Sequence, residues 1–243
     1  MTSARMRALM FAVLIVSIAA GLAYAFSHRQ PERLAPRARA DRPTLLLLSS
    51  LPLVFAEQFS IEGGGSPALK ALETRYRVVP ISVAAAAELG KGRLLLMGQP
   101  RAQPAEDLVA LDDWVRGGGR VLLLADPMLE WPSTRPLGDP FRPPPMFADT
   151  GLLAHWGLRL DAPDEAGPKS ARLGGYSIWT DSPGSLSGGC EISADRFVAH
   201  CRLRRGHATI VADADFLDVE KLGKPARDNL DALLSELARL ERK

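Results

Sequence analysis

Three aspartates stand where an α/β fold places its chemistry. Asp126 follows the apolar run Arg120 to Ala125, and Asp213 and Asp215 follow a second run, Ala208 to Ala212. Ligands of open α/β sheets bind just beyond the carboxyl ends of the strands. These carboxylates, with Ser49 and Ser50 at the end of the run Thr44 to Ser50 and Gln99 after Arg93 to Met97, would therefore line the expected site. Such a set suits a metal or a polar ligand. The competing role is local, because an aspartate after a strand also caps a turn or the next helix. No pair among them has the spacing of a general acid and base, so no catalytic residue, metal ligand or cofactor is assigned.

The only cysteines, Cys190 and Cys201, flank a hairpin-like stretch. If its two-residue turn is Asp195-Arg196, the two lie opposite each other on antiparallel strands, close enough for a disulfide. Such a bond implies an oxidising compartment. The rival is a zinc site from Cys190, His200, Cys201 and His207, which matches no standard spacing and places His200 and Cys201 on opposite faces of one strand; two unrelated buried thiols are the third possibility. A nucleophilic enzyme needs Ser or Cys in a strand-to-helix elbow with a histidine partner, and no G-x-S-x-G occurs. His28 falls in a linker-like stretch, and His155 beside Trp156 fits a structural or surface role on a helix. Gly63 to Gly65 lacks the Lys-Ser/Thr of a phosphate loop, and Gly117 to Gly119 precedes a strand instead of following one.

The elements that position these residues centre on Pro104 to Pro127. Leu108, Leu111 and Val115 recur at helical spacing beside Trp114, the three glycines stop the helix, and Arg120 to Ala125 reads as a strand buried on both faces. Before it come strands at Thr44 to Ser50, Arg77 to Ser82 and Arg93 to Met97, separated by a helix capped by Ser66 and started by Pro67 and by a short helical turn at Val83 to Leu89. Strands alternating with helices predict a parallel sheet. Asp126 to Phe147 is a proline-dense loop that Trp131, Phe141 and Phe147 could pin to the body. A short helix at Phe147 to Trp156, a strand at Leu158 to Leu160 and a loop at Asp161 to Lys169 follow. Strands at Leu173 to Thr180, Gly189 to Ser193 and Phe197 to Leu203 read as an antiparallel region, while Ala208 to Ala212 could re-enter the central sheet. A closing helix carries Leu230, Leu233, Leu234, Leu237 and Leu240 on one face. The expected fold is α/β and flavodoxin-like, a mostly parallel sheet with helices on both faces and an antiparallel hairpin region near the C-terminus.

At 243 residues and 47% hydrophobic, one sizeable core is expected. Residues 1–42 hold seven arginines against Glu32 and Asp41, a net charge of +5, which leaves −3 for the rest. A basic tail on an acidic body argues against nucleic-acid binding. Residues 1–7 form an N-terminal tail, 8–26 an apolar run long enough for a single transmembrane anchor, 27–42 an Arg/Pro-rich extended linker, and 43–243 the globular domain. Ala23-Tyr24-Ala25 leaves a cleaved signal peptide as the alternative. The arginines after the run favour a cytoplasmic domain by the positive-inside rule, whereas the cysteines favour the periplasm. The expected location is the inner membrane with the domain on the periplasmic side.

The stretches LDDWVRGGGRVLLLADP and ATIVADADFLD, with Asn229-Leu230 in the last helix, resemble the GldG-like auxiliary proteins of ABC-type uncharacterized transport systems, related to the GIFT and DUF4350 domains. The resemblance spans about residues 43–240. It implies a fold similar to class I glutamine amidotransferases, without catalysis, since Asp126-Pro127 stands where their nucleophilic cysteine would be. It also implies a membrane-anchored accessory or binding domain with a protein partner, in the family's case ABC transporter subunits. The alternative is a carboxylate- or metal-dependent hydrolase of envelope material. A purely structural role would make Met128 to Met146 the partner-contact surface.

Overall fold

A computed structural model describes residues 32–54 and 65–243. The apolar run at 8–26 and the question of its cleavage lie outside the described residues. No helix among the described residues is long and apolar enough to cross a membrane.

The protein is a mixed α/β structure built on a mostly parallel sheet. The first half alternates β1 (Thr44–Ser49), α1 (Pro67–Glu73), β2 (Arg77–Pro80), α2 (Ala86–Leu89), β3 (Leu94–Gly98), α3 (Ala105–Arg116) and β4 (Arg120–Leu124). After the proline-dense loop come α4 (Leu152–His155), β5 (Leu158–Asp161), β6 (Pro168–Leu173), β7 (Tyr176–Asp181), β8 (Ser185–Gly188), β9 (Glu191–Ile192), β10 (Val198–Leu203) and β11 (Gly206–Val211). Two helices, α5 (Val219–Leu222) and α6 (Asn229–Glu241), close the chain. The seven-stranded sheet runs β2-β1-β3-β4-β11-β10-β9, and every neighbour from β2 to β11 is parallel. β10 turns back antiparallel on β11, and β9 on β10. β5 with β8 and β6 with β7 form two separate antiparallel ribbons.

Alternation along each strand divides the core between the two faces. Leu45 and Leu47 of β1 pack with α1 and α6 on one side, while Leu46 and Leu48 pack with α2, α3 and α4 on the other. Being covered twice, β1 and β3 read as unbroken Leu/Met runs.

Local glycine chemistry redraws several boundaries. The strand expected at Leu173 to Thr180 is broken at Gly174-Gly175, whose φ angles of 58° and 91° make a turn. A Cβ on Gly174 would also stand 2.5 Å from the carbonyl of Ala232 in α6. The strand therefore begins earlier as β6, inside the segment expected to be loop, and returns as β7. The helix expected from Phe147 starts only at Leu152, after Gly151 at φ 98° and with the Asp149 carboxylate accepting from Gly151 and Leu153 N–H. Of the aromatics expected to pin the proline-dense loop, Trp131 and Phe147 pack on the core and Phe141 is 70% exposed.

The last ten residues of the expected linker lie along the body. Arg33 pairs with Asp228 and Asp231, Arg37 pairs with Glu241 and lies over the Tyr76 ring, and Leu34 packs on the core.

Candidate functional site

All six expected site residues lie at the carboxyl edge of the parallel strands, joined by hydrogen bonds within the protein. Ser49 Oγ donates to the Gly98 carbonyl at 3.0 Å and accepts from Leu51 N–H at 3.0 Å. Ser50 Oγ donates to the Gln99 carbonyl. Gln99, buried and at φ 45°, accepts from Asp126 N–H at 2.9 Å through Oε1. Its Nε2 donates to the carbonyls of Asp126 at 3.1 Å and Pro144 at 3.2 Å. Asp126 carries the line across to β11, because its Oδ2 accepts from Ala214 N–H at 2.9 Å while Oδ1 accepts from Met128 N–H at 2.8 Å.

Asp126, Asp213 and Asp215 converge, with one oxygen from each lying within 4.8 Å of the others. Asp213 Oδ1 accepts from the Thr180 hydroxyl at 2.5 Å and from Phe216 N–H at 3.0 Å; Asp215 Oδ2 accepts from Glu130 N–H at 2.7 Å. None is more than 1% exposed. Burial is the main cause of their raised pKa values. It pushes Asp126 up to about 6 against three backbone N–H donors, and Asp215 up to about 8 with help from the Asp126 charge. Asp213 is raised well above the usual carboxylate range by burial and by Asp126. Removing charges from water this way is costly unless they are neutralised.

A cleft of about 300 Å³ opens beside this line, at the ends of β1 and β2, with Arg101 reaching it from the segment after β3. The strand order reverses between β1 and β3, the topological switch point of a doubly wound sheet. Ser49 and Ser50 line the cleft with Ile81 and Phe141, and Arg101 and Arg135 supply positive charge. Arg135 Nε is buried without a partner, and its Nη1 stands 3.7 Å from Asp139. These two arginines carried no sequence signal to separate them from solvated ones. In the proline-dense loop, Met128, Leu137, Phe141 and Met146 are exposed, Phe141 at the cleft. Val109 on α3 completes the set of exposed large hydrophobics among the described residues.

Cys190 and Cys201 are joined in a disulfide, their Cα atoms 4.9 Å apart. The pairing His200↔Glu191 and Ala199↔Ile192 sets them opposite each other. His200 Nε2 stands 3.3 Å from Glu236, and His155 Nε2 stands 3.2 Å from Asp112, which also accepts from Trp156 Nε1 and Arg116 and so ties α4 to α3. Neither cysteine is a free thiol.

No protein-family model matches the sequence, and no curated protein is similar to it. Among solved structures, the mmIFT52 N-terminal domain is similar at 12% identity and a TM-score of 0.53, covering 81% of this chain and 96% of that one. The exo-beta-1,4-mannosidase Op5Man5 from Opitutaceae bacterium strain TAV5 aligns at 14% identity and a TM-score of 0.46, over 83% of this chain. A beta-galactosidase from Bacillus circulans sp. alkalophilus aligns at 14% identity and the same TM-score. This chain spans about a third of the length of each glycosidase. The likeness to the mmIFT52 domain concerns the fold: a small α/β domain of matching extent.

Proposed function

We propose that this chain is a non-catalytic, membrane-tethered binding domain that holds a protein partner at the carboxyl edge of its sheet. The observation that carries the reading is the concentration of exposed apolar side chains on the one loop that also lines the cleft at the sheet's carboxyl edge. Met128, Leu137, Phe141 and Met146 are exposed on that loop, and its Phe141 and Pro140 line a 300 Å³ opening that holds Arg101 and Arg135. Exposed apolar groups on a loop that shares its cleft with the guanidinium groups of Arg101 and Arg135 fit a partner segment carrying both apolar and carboxylate side chains. The order of the parallel strands supports the flavodoxin-like description. The GldG-like stretches support an accessory role beside an ABC-type transport system, and the Cys190–Cys201 bond supports the periplasmic side.

The hydrolase alternative finds its carboxylates buried, with none presented to a substrate. The test is site-specific photocrosslinking in intact cells, with the full chain in its own membrane. A photoreactive residue at Phe141 or Leu137 should yield a discrete cross-linked partner, lost on Arg135→Glu, while the same residue at Val109 should yield none. Equal cross-linking from 109 and 141, or none at all, would overturn the proposal. Turnover of 4-nitrophenyl phosphate abolished by Asp126→Asn would favour the hydrolase instead.

A further inference from the structure

The buried carboxylates of Asp126, Asp213 and Asp215 converge at the carboxyl edge of the sheet, and the hydrogen bonding of their six oxygens is uneven. Four are held by N–H or O–H donors: both oxygens of Asp126, Asp213 Oδ1 and Asp215 Oδ2. The other two, Asp213 Oδ2 and Asp215 Oδ1, are sealed from solvent and have no hydrogen-bond partner. A buried polar atom left unpaired costs on the order of 1–3 kcal/mol, more when charged, so native proteins rarely leave two in one cluster. None of the three carboxylates is ion-paired among the described residues. The nearest ammonium, Lys221, is occupied by Asp181 at 3.1 Å and the Glu130 carbonyl at 2.9 Å.

We infer that Asp126, Asp213 and Asp215 bind one hard divalent cation that fastens the loop after β4 to the loop after β11. The donor set is all oxygen, which suits Ca²⁺ or Mg²⁺ and not the softer metals. One oxygen from each residue lies within 4.8 Å of the others. Two oxygens on opposite sides of a Ca²⁺ ion are about 4.6–5.2 Å apart, so one ion reaches all three as they stand, whereas the smaller Mg²⁺ would draw them inward. The donors on the outer oxygens hold the carboxylates in place. Ala214 N–H and Thr180 Oγ bring them from β11 and β7, which makes the site a product of the folded sheet. Its burial makes the ion structural, with no face open to a substrate.

The experiment uses the full chain, purified without chelator. Metal content by mass spectrometry should approach one Ca²⁺ or Mg²⁺ per chain, and EDTA should lower Tm by about 5 °C or more, restored by millimolar CaCl₂. Asp215→Asn should lose the response to CaCl₂ and melt below the wild type in its presence. If the three carboxylates merely share protons, Asp215→Asn relieves repulsion and melts higher, and EDTA changes nothing; either result overturns the inference. Should the variant fail to fold, metal content and the EDTA response of the wild type decide alone. Arg135→Glu should leave both unchanged, which separates this site from the partner-binding surface.

Discussion

Gln99 shows what the carboxyl edge demands of one residue. Its backbone is left-handed at φ 45°, uncommon for a side chain of this size, and its amide holds both the N–H and the carbonyl of Asp126. Gln99→Ala would keep the backbone strain and leave those groups unpaired, with an expected loss of about 2–4 kcal/mol in urea denaturation. Gln99→Gly should be no less stable than Gln99→Ala, because glycine accepts the left-handed backbone freely. A Gln99→Ala loss under about 0.5 kcal/mol would show the bridge to be dispensable. The positions of Ser49, Ser50, Gln99 and the aspartates could be read from their places after apolar runs. Their partners could not, since Ala214 is 88 residues from Asp126 and Thr180 is 33 from Asp213. Asn229 was visible only as part of a resemblance, yet its amide bonds the Trp179 backbone and the Phe216 carbonyl, pinning α6 to β7.

Elements meet where side chains are smallest or most burdened. At Gly206, where β11 begins, an added Cβ would stand 1.8 Å from the Val115 carbonyl of α3. That neighbour is backbone and cannot swing aside, so Gly206→Ala should cost about 3 kcal/mol or more, read as a lower urea midpoint. On the other face, α6 places Glu236 against β10 and β11. Its Oε1 accepts from Thr209 at 3.0 Å and lies near His200 and Arg239, with Glu191, Arg202, His207 and Lys243 around the adjoining cavity. Burial pushes this carboxyl up to about 7, against the Thr209 hydrogen bond. The folded chain therefore keeps a proton that the unfolded chain releases near pH 4.5, and stability should fall as pH rises from about 4.5 to 7. The Glu236 share is about 1–3 kcal/mol, reduced by the Arg239 pairing. Glu236→Gln should flatten the curve by that amount, and an unchanged slope would show Glu236 ionised throughout. The helix-strand units through β4 were legible because both periods are strong there. The region from Pro168 to Ile192 was not, because its ribbons are short and their breaks depend on Gly174 approaching α6, a contact no local pattern encodes.

For the whole molecule, the main division in the sequence is between basic tail and acidic body, and the described end of the tail, from Arg33, lies on the body. Arg33 and Arg37 sit on Asp228, Asp231 and Glu241, so part of the charge counted toward membrane orientation is paired with the domain itself. Thiol labelling in intact cells tests orientation directly. Cys190 and Cys201 should label only after reduction, and free labelling on permeabilisation alone would place the domain in the cytoplasm. The same disulfide bears on how the molecule keeps to itself. The seven-stranded sheet ends in short margins, β2 of four residues closing on Pro80 and β9 of two residues fastened to β10 through Cys190–Cys201. An exposed margin of a sheet is a template on which another chain can add a strand. Here proline blunts one margin and a covalent stitch holds the other, so reduction would leave β10 as a longer, unguarded border on which aggregation could start.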